Sequence, residues 1–265
     1  MKTKISITLD EQALKQVDAI VDHIFIRNRS QAIEYLVNKG VGENKTAVIL
    51  AGGSADKLRL QEGVYVIDAT IGKLTLLEHA IKKLRENNFK NIFIVAQHII
   101  LTKAFEILKE GASYGVTIHY IEEKTTKGSA ESLQLLKGKV KGKFLVVYAD
   151  LYFEKINLDA LWQDHLKQGG LATLMMTTSN TPHAKGILKV EGTKILEFNQ
   201  KPEKSDIYLV FSPIFVAEEE LMDQTGASLE EEVFPKLSKR GLLFGHLSSE
   251  KEIHVHTMQD VQEIN

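Results

Sequence analysis

The sequence predicts an α/β chain in two parts: a small strand-helix-helix segment over residues 1–41, then a large domain over 46–265 built on a mixed, mainly parallel sheet. Three observations lead there. From residue 46 onward, near-continuous apolar strands alternate with amphipathic helices, the pattern of strands covered by helices on both faces. The first of these strands, Ala47 to Leu50, runs straight into Ala51-Gly52-Gly53, where two glycines let the backbone turn sharply and approach a ligand. Ahead of it, residues 2 to 9 alternate with period two and precede two short helical patterns, a segment too small to bury a core alone.

Composition narrows the function. The 265 residues are 43% apolar and 26% charged with net charge −2, so no global charge draws the chain to nucleic acid or membrane, and any such site must be local. Cysteine is absent, which excludes disulfides, thiolate metal sites and a cysteine nucleophile. No apolar run approaches the roughly 18 residues of a membrane span, and the N-terminus lacks an apolar signal-peptide core. A cytoplasmic location and no membrane partner are expected.

In order along the chain, Ile5, Ile7 and Leu9 point one way, and Lys4, Ser6 and Thr8 the other. Asp10 suits the cap of a helix from Glu11, with Leu14, Val17, Val21 and Ile24 at helical spacing. Arg27-Asn28-Arg29 breaks that pattern. Ser30 can cap a second helix with Ala32, Ile33, Leu36 and Val37 on one face, ending near Gly40. Val41 to Lys45 reads as a linker. Helices at Thr75–Asn87, Leu101–Lys109 and Gly128–Leu136 then alternate with strands at Asn91–Ala96, Val116–Ile121 and Phe144–Tyr148. After Leu171 strands predominate, at Leu171–Thr177, Lys185–Glu191, Lys194–Asn199 and Asp206–Val216. Helices at Glu218–Gln224 and Leu229–Leu237 and strands at Leu242–Leu247 and Ile253–His256 complete the chain.

Ligands of such sheets sit at the carboxyl ends of the parallel strands, where both Gly52 and Asp150 fall. The glycine pair is either a concavity of free N–H groups for phosphate or a plain turn. Asp150 is either a cation ligand or a turn residue. His254 and His256 alternate on one strand and face the same side, as metal ligands or as a half-buried strand pair.

LAGG at 50–53, followed by Lys57 and Leu58-Arg59, resembles the signature loop of the sugar nucleotidyltransferases, the NDP-sugar pyrophosphorylases. That resemblance implies a Rossmann-like nucleotidyltransferase domain in which Leu50, Ala51, Gly52 and Gly53 wrap a triphosphate. It continues through KGSAESL at 127–133, where Gly128 and Ser129 match a loop that holds base and ribose, and Glu123 stands at a base-contacting position. YAD at 148–150 resembles the strand end bearing a metal-binding aspartate, which makes Asp150 the metal ligand and, with Lys57, a catalytic candidate. Lys185-Gly186 and Gln200-Lys201-Pro202 resemble sugar-contacting segments, giving Gly186, Gln200 and Lys201. The C-terminal EIHVHTMQDVQEIN resembles the segment carrying a second metal aspartate, here His254. Mg²⁺ and a nucleotide or sugar nucleotide are the implied cofactor and ligand.

The departures are specific. Lys57 replaces an arginine, a phosphate-touching lysine falls at about Val66, Gln200 replaces a carboxylate, and an asparagine expected near Phe211 is missing. Imidazole at 254 suits Zn²⁺ or Mn²⁺ better than Mg²⁺.

The N-terminal strand-helix-helix, with RNRSQAI at 27–33, resembles the ribbon-helix-helix DNA-binding family. That resemblance implies a homodimer or higher oligomer whose ribbon presents Lys4, Ser6 and Thr8 to double-stranded DNA, with Arg29 and the Ser30 amide on phosphate. A dimerisation arm is the other reading. The expectation is therefore a DNA-binding transcriptional regulator whose large domain binds a nucleotide or sugar nucleotide, with catalysis weak or absent. The alternative is an active sugar-1-phosphate nucleotidyltransferase whose small domain dimerises or localises it.

Overall fold

The computed structural model describes residues 6–21, 26–41, 45–125 and 127–264. The chain divides into two compact units, Met1–Asn44 and Lys45–Asn265.

In the first unit, Asp10 begins α1 (Glu11–Ala19) by accepting a hydrogen bond from Ala13 N at 2.8 Å, satisfying one of the free donors of the first turn. The helix stops at Ala19, short of the periodicity that continues to Val21 and Ile24, and Ile24 lies outside the described residues. α2 (Arg29–Val41) is started by Asn28, whose Oδ1 accepts from Gln31 N at 3.0 Å; Ser30 sits inside the helix instead of capping it. Three expectations for a DNA-reading ribbon fare differently. Lys4 lies outside the described residues, and Ser6 and Thr8 are exposed on a stretch, 6–10, that forms no strand within the chain. Arg29 grips the Asp18 carboxylate with two parallel hydrogen bonds, 2.6 and 2.8 Å, so its guanidinium ties α2 to α1.

The second unit is built on a nine-stranded mixed sheet. Four strands run parallel: β1 (Lys45–Ala51), β2 (Phe89–Ala96), β3 (Thr117–Glu122) and β4 (Phe144–Tyr148), in spatial order β4-β1-β2-β3. Every residue of β1 from Ala47 to Ala51 is buried, so the strand is apolar on both faces. Ala47, Ile49 and Ala51 pack under α3 (Leu76–Glu86), α4 (His98–Leu108) and α6 (Leu158–Gln168). Val48 and Leu50 pack on the other face with α5 (Ser129–Gln134) and α7 (Phe234–Lys239). α3 starts with a capping box: Thr75 N donates to Glu78 Oε2 at 2.7 Å and Glu78 N to Thr75 Oγ1 at 3.2 Å. The sequence expectations leave out α6 and the C-terminal helix α8 (Met258–Ile264).

The other half of the sheet is largely antiparallel, which corrects the mainly parallel reading. β5 (Ala172–Thr178), β6 (Gly186–Glu191), β7 (Lys194–Gln200), β8 (Leu209–Ala217) and β9 (Leu243–Leu247) extend the order to β5-β9-β7-β6-β8-β4-β1-β2-β3. β6 and β7 are joined by a two-residue turn at Gly192, and so tight a connection can only reverse direction. β8 runs antiparallel to β4 and to β5, while β5 and β9 are parallel.

Candidate functional site

At the carboxyl ends of the parallel strands, the loops after β1 and β3 pack together, and a second group of side chains forms just beyond β4. After β1, Gly52 packs so closely that a Cβ there would lie 2.8 Å from Ser132 Oγ and 3.1 Å from Glu123 Oε2. Gly53 follows at φ +93°, open on its Cβ side, and its N–H donates to Glu123 Oε2 at 3.0 Å. Glu123 follows β3 and is only 3% exposed; Ser132 Oγ donates to its other oxygen. A buried carboxylate thus accepts from the glycine turn.

The start of α5 is set the same way. Gly128 adopts φ +153°, and a Cβ there would stand 2.4 Å from the Ala227 carbonyl oxygen. Ser129 Oγ donates to Glu230 Oε2 at 2.7 Å and accepts from Leu229 N at 2.9 Å, while Tyr148 OH donates to Glu230 Oε1. Burial, with the Glu230 carboxylate beside it, pushes the Tyr148 hydroxyl well above its ordinary pKa. Leu50 and Ala51 are buried strand residues whose side chains serve the core. Lys57 lies on the short turn Ala55–Leu58 and is exposed, with no hydrogen bond or ion pair from its side chain to another described residue. Val66, where a lysine is sought, is 1% exposed in an apolar cluster with Val255 and Val261, so that position belongs to the core.

The second wall stands on Asp150, just beyond β4. A short two-stranded ribbon pairs Leu151 with His254 and Tyr152 with Ile253, and Val255 N donates to the Asp150 carbonyl oxygen at 2.8 Å. His254 Nδ1 and His256 Nδ1 therefore approach Asp150 Oδ2, at 3.8 and 3.7 Å. His254 Nε2 contacts Glu252 Oε1 at 3.2 Å, and Glu252, 7% exposed, accepts from Ser212 Oγ at 2.7 Å and meets Lys185 Nζ at 3.5 Å. Burial alone would lower the His254 pKa, but the Asp150 and Glu252 carboxylates outweigh it and hold the imidazole up to about 9. Burial would raise Glu252; its hydrogen bonds from His254 and Ser212 bring it below the usual carboxylate range.

The sugar-side candidates lie beside this chain of contacts. Gly186 faces Gln200 across β6 and β7, and a Cβ on Gly186 would stand 2.6 Å from Phe198 and 2.9 Å from Gln200 Oε1. Gln200 Oε1 is buried with no hydrogen-bond partner among the described residues. Lys201 takes φ +42° as its N–H donates to Lys185 O at 3.0 Å.

The geometry brings Gly52, Gly53, Glu123, Gly128 and Ser129 together, and separately joins Asp150, His254 and Lys185. Sequence reasoning missed Ser132, Glu230, Glu252 and Ser212, and left His256 open between a metal ligand and one of a half-buried strand pair. The same alternation, extended back to 252, was the available signal for Glu252. Tested against Mg²⁺, the donor set fits poorly: it offers one hard carboxylate and two imidazoles, whereas Mg²⁺ demands oxygen ligands.

Among known proteins, the nucleotidyl transferase family matches residues 46–243. A candidate mannose-1-phosphate guanyltransferase of Sulfolobus acidocaldarius is 27% identical over 198 residues, covering 72% of this chain and 54% of that protein. A bifunctional IPC transferase and DIPP synthase of Aquifex aeolicus is 30% identical over 194 residues, covering 71% and 44%. The chain spans about half the length of the curated relatives it matches. A crystal structure of a candidate glucose-1-phosphate thymidylyltransferase from Bacillus anthracis, in complex with sucrose, matches with a TM-score of 0.74 at 20% identity, over 83% of this chain and 94% of that one. At that identity the likeness is one of fold. These findings overturn the expectation of a DNA-binding transcriptional regulator with weak or absent catalysis and favour its alternative, an active nucleotidyltransferase. With most of its length matched, the chain belongs to the nucleotidyl transferase family.

Proposed function

We propose that the protein is a sugar-1-phosphate nucleotidyltransferase. The observation that carries this reading is the meeting of the glycine turn, Glu123 and the Gly128-Ser129 loop at the carboxyl ends of the parallel strands, with Asp150 at the end of the neighbouring strand β4, in a chain whose relatives include a candidate mannose-1-phosphate guanyltransferase. In this reaction a sugar 1-phosphate oxygen forms a bond to the α-phosphorus of a nucleoside triphosphate. The bond from that phosphorus to the bridging oxygen breaks, and pyrophosphate leaves with the electron pair.

The chain's residues divide the work. Gly52 and Gly53, held at the end of the strand by Leu50 and Ala51, receive the triphosphate on backbone N–H groups, with Glu123 releasing the Gly53 N–H as phosphate arrives. Gly128 and Ser129 hold base and ribose. Lys57, exposed and unpaired among the described residues, offsets charge moving onto pyrophosphate. Gly186, Gln200 and Lys201 shape the sugar side, where the unsatisfied Gln200 Oε1 awaits a hydroxyl donor. Asp150 is the cation ligand between the walls. Residues 1–41, which precede the family match, serve self-association; among the described residues Ile7, Leu9 and Leu36 are exposed there.

The test is pyrophosphate release from each nucleoside triphosphate with mannose 1-phosphate or glucose 1-phosphate. Turnover of about 1 s⁻¹ or more with one pair is expected. Release no faster than the uncatalysed background with every pair would overturn the reading.

A further inference from the structure

We propose that Asp150, His254 and His256 form a three-donor site for a borderline transition cation, Zn²⁺, Co²⁺ or Mn²⁺, in preference to Mg²⁺. This inference deepens the proposed function, since Asp150 is the cation ligand there, but it stands on coordination geometry and is tested by metal binding alone. One carboxylate oxygen and two imidazole nitrogens lie within 4.8 Å of one another. Donors bound to one such ion at about 2.0–2.2 Å are separated by roughly 3–3.5 Å. The two Nδ1-to-Oδ2 distances, 3.8 and 3.7 Å, close to that range with small side-chain rotations.

The positions are fixed by backbone contacts. Val255 N is bonded to the Asp150 carbonyl oxygen at 2.8 Å, and His256 N donates to Asp260 Oδ2 at 2.8 Å. Asp260 also forms the capping box of α8, accepting from Thr257 N at 2.7 Å while its own N–H donates to Thr257 Oγ1 at 3.2 Å. Between the two imidazoles, Val255 is fully buried against Val66 and Val261, so His254 and His256 are carried by a packed rim.

A further feature distinguishes this group from an incidental ion-pair cluster. His254 turns Nε2 to the buried Glu252 carboxylate and Nδ1 to Asp150. A ligating histidine typically has its other ring nitrogen held by a carboxylate, which fixes the ring and raises its basicity. Glu252 is itself held by Ser212 and Lys185. The side of His256 is open, with 63% of its side chain exposed, leaving room for water or a phosphate oxygen on the ion. Imidazole-rich sets favour Zn²⁺, Co²⁺ and Mn²⁺ over Mg²⁺.

The test uses the full chain, stripped with a chelator and titrated with Co²⁺, Zn²⁺, Mn²⁺ and Mg²⁺ without nucleotide. We expect one Co²⁺ per chain with intensified visible d–d bands, displacement by Zn²⁺, and binding of Mg²⁺ about 100-fold weaker or worse. The conservative variant of the exposed ligand, His256→Gln, and His254→Ala should each alter the Co²⁺ spectrum. Glu252→Gln, which leaves all three donors in place, should weaken binding about 10–100-fold. His254→Asp should shift preference toward Mg²⁺. Mg²⁺ binding as tight as Zn²⁺ in the unaltered protein, or a Co²⁺ spectrum untouched by His256→Gln in a protein with native circular dichroism, would overturn the proposal. Because only metal binding is read, either failure leaves nucleotidyl transfer to its own assay.

Discussion

At the nucleotide-side wall the chain packs against itself. A Cβ on Gly52 would meet Ser132 Oγ at 2.8 Å, and one on Gly128 would meet Ala227 O at 2.4 Å. At the other wall, Asp150, His254 and His256 bring side-chain donor atoms within 4.8 Å of one another, with no glycine in the group. The first wall needs the shape of glycine, while the second needs side chains with particular donor atoms. That difference accounts for the glycines matching the family's loops while His254, on the metal side, departs from them: an added methyl is rejected by rigid neighbours, but a donor can be exchanged when a different cation is bound. Substitutions on the first wall should therefore register in stability, and those on the second in rate.

The largest effect is expected at Asp150→Ala. Loss of one preorganised group at a site of charge development typically costs about 10²–10³ in rate. Initial rates of sugar-nucleotide formation should fall by that factor, while the melting temperature moves little. A loss under tenfold would mean that the second wall is not where reaction occurs.

Gly128→Ala tests the opposite wall. It combines a φ of +153°, which L residues avoid, with a 2.4 Å clash against a backbone oxygen that cannot rotate away. The expected loss is about 3 kcal/mol, or roughly 6–12 °C in melting temperature for a unit of this size. Unchanged melting would break the comparison at its firmest point.

Glu123→Ala should cost somewhat less, about 2 kcal/mol, because it strands the Gly53 N–H without its acceptor and leaves the Ser132 hydroxyl with only the Gly128 carbonyl oxygen. Glu123→Gln keeps an acceptor oxygen and should recover part of that stability. Chemical denaturation of both variants separates the lost hydrogen bonds from the lost charge.

Much of this was legible in the sequence, for local reasons. The apolar run Ala47 to Leu50, the glycine turn and the Thr75–Glu78 capping box are each encoded within a few residues. α6 was legible too, since Leu158, Leu161, Trp162 and His165 recur on one face behind the Asn157 cap, but the expectations passed over it. Other features were not legible. Glu230 reaches Ser129 across 101 residues and Tyr148 across 82, and no spacing rule links them. Val66 stands where the resemblance puts a phosphate-touching lysine, which this chain lacks, and only the folded chain reveals that position packed with the C-terminal helix. Ser30 yielded the cap to Asn28, one of several adjacent polar residues any of which could have filled that position. Arg29 looked free for phosphate until α1 placed Asp18 beside it. Local periodicity thus fixes elements, while pairings between distant loops fix the site.

The smallest stability change expected on the first wall, at Gly53→Ala, sharpens the comparison within it. Gly53 and Gly128 both have positive φ, +93° and +153°, but an added Cβ at Gly53 meets nothing within 4 Å. Its cost is therefore backbone strain without a clash, about 1 kcal/mol, or roughly 2–4 °C in melting temperature. The open space beside Gly53 is also where the proposed triphosphate would pass, so the methyl should raise the KM for nucleotide more than the loss of stability suggests. Thermal melts set beside KM values for Gly53→Ala and Gly128→Ala would separate the two roles. If Gly53→Ala melts as early as Gly128→Ala, the turn is held by packing, and its glycine serves the fold and not the ligand. If it melts nearly normally but binds nucleotide weakly, the turn is open because a ligand fills it.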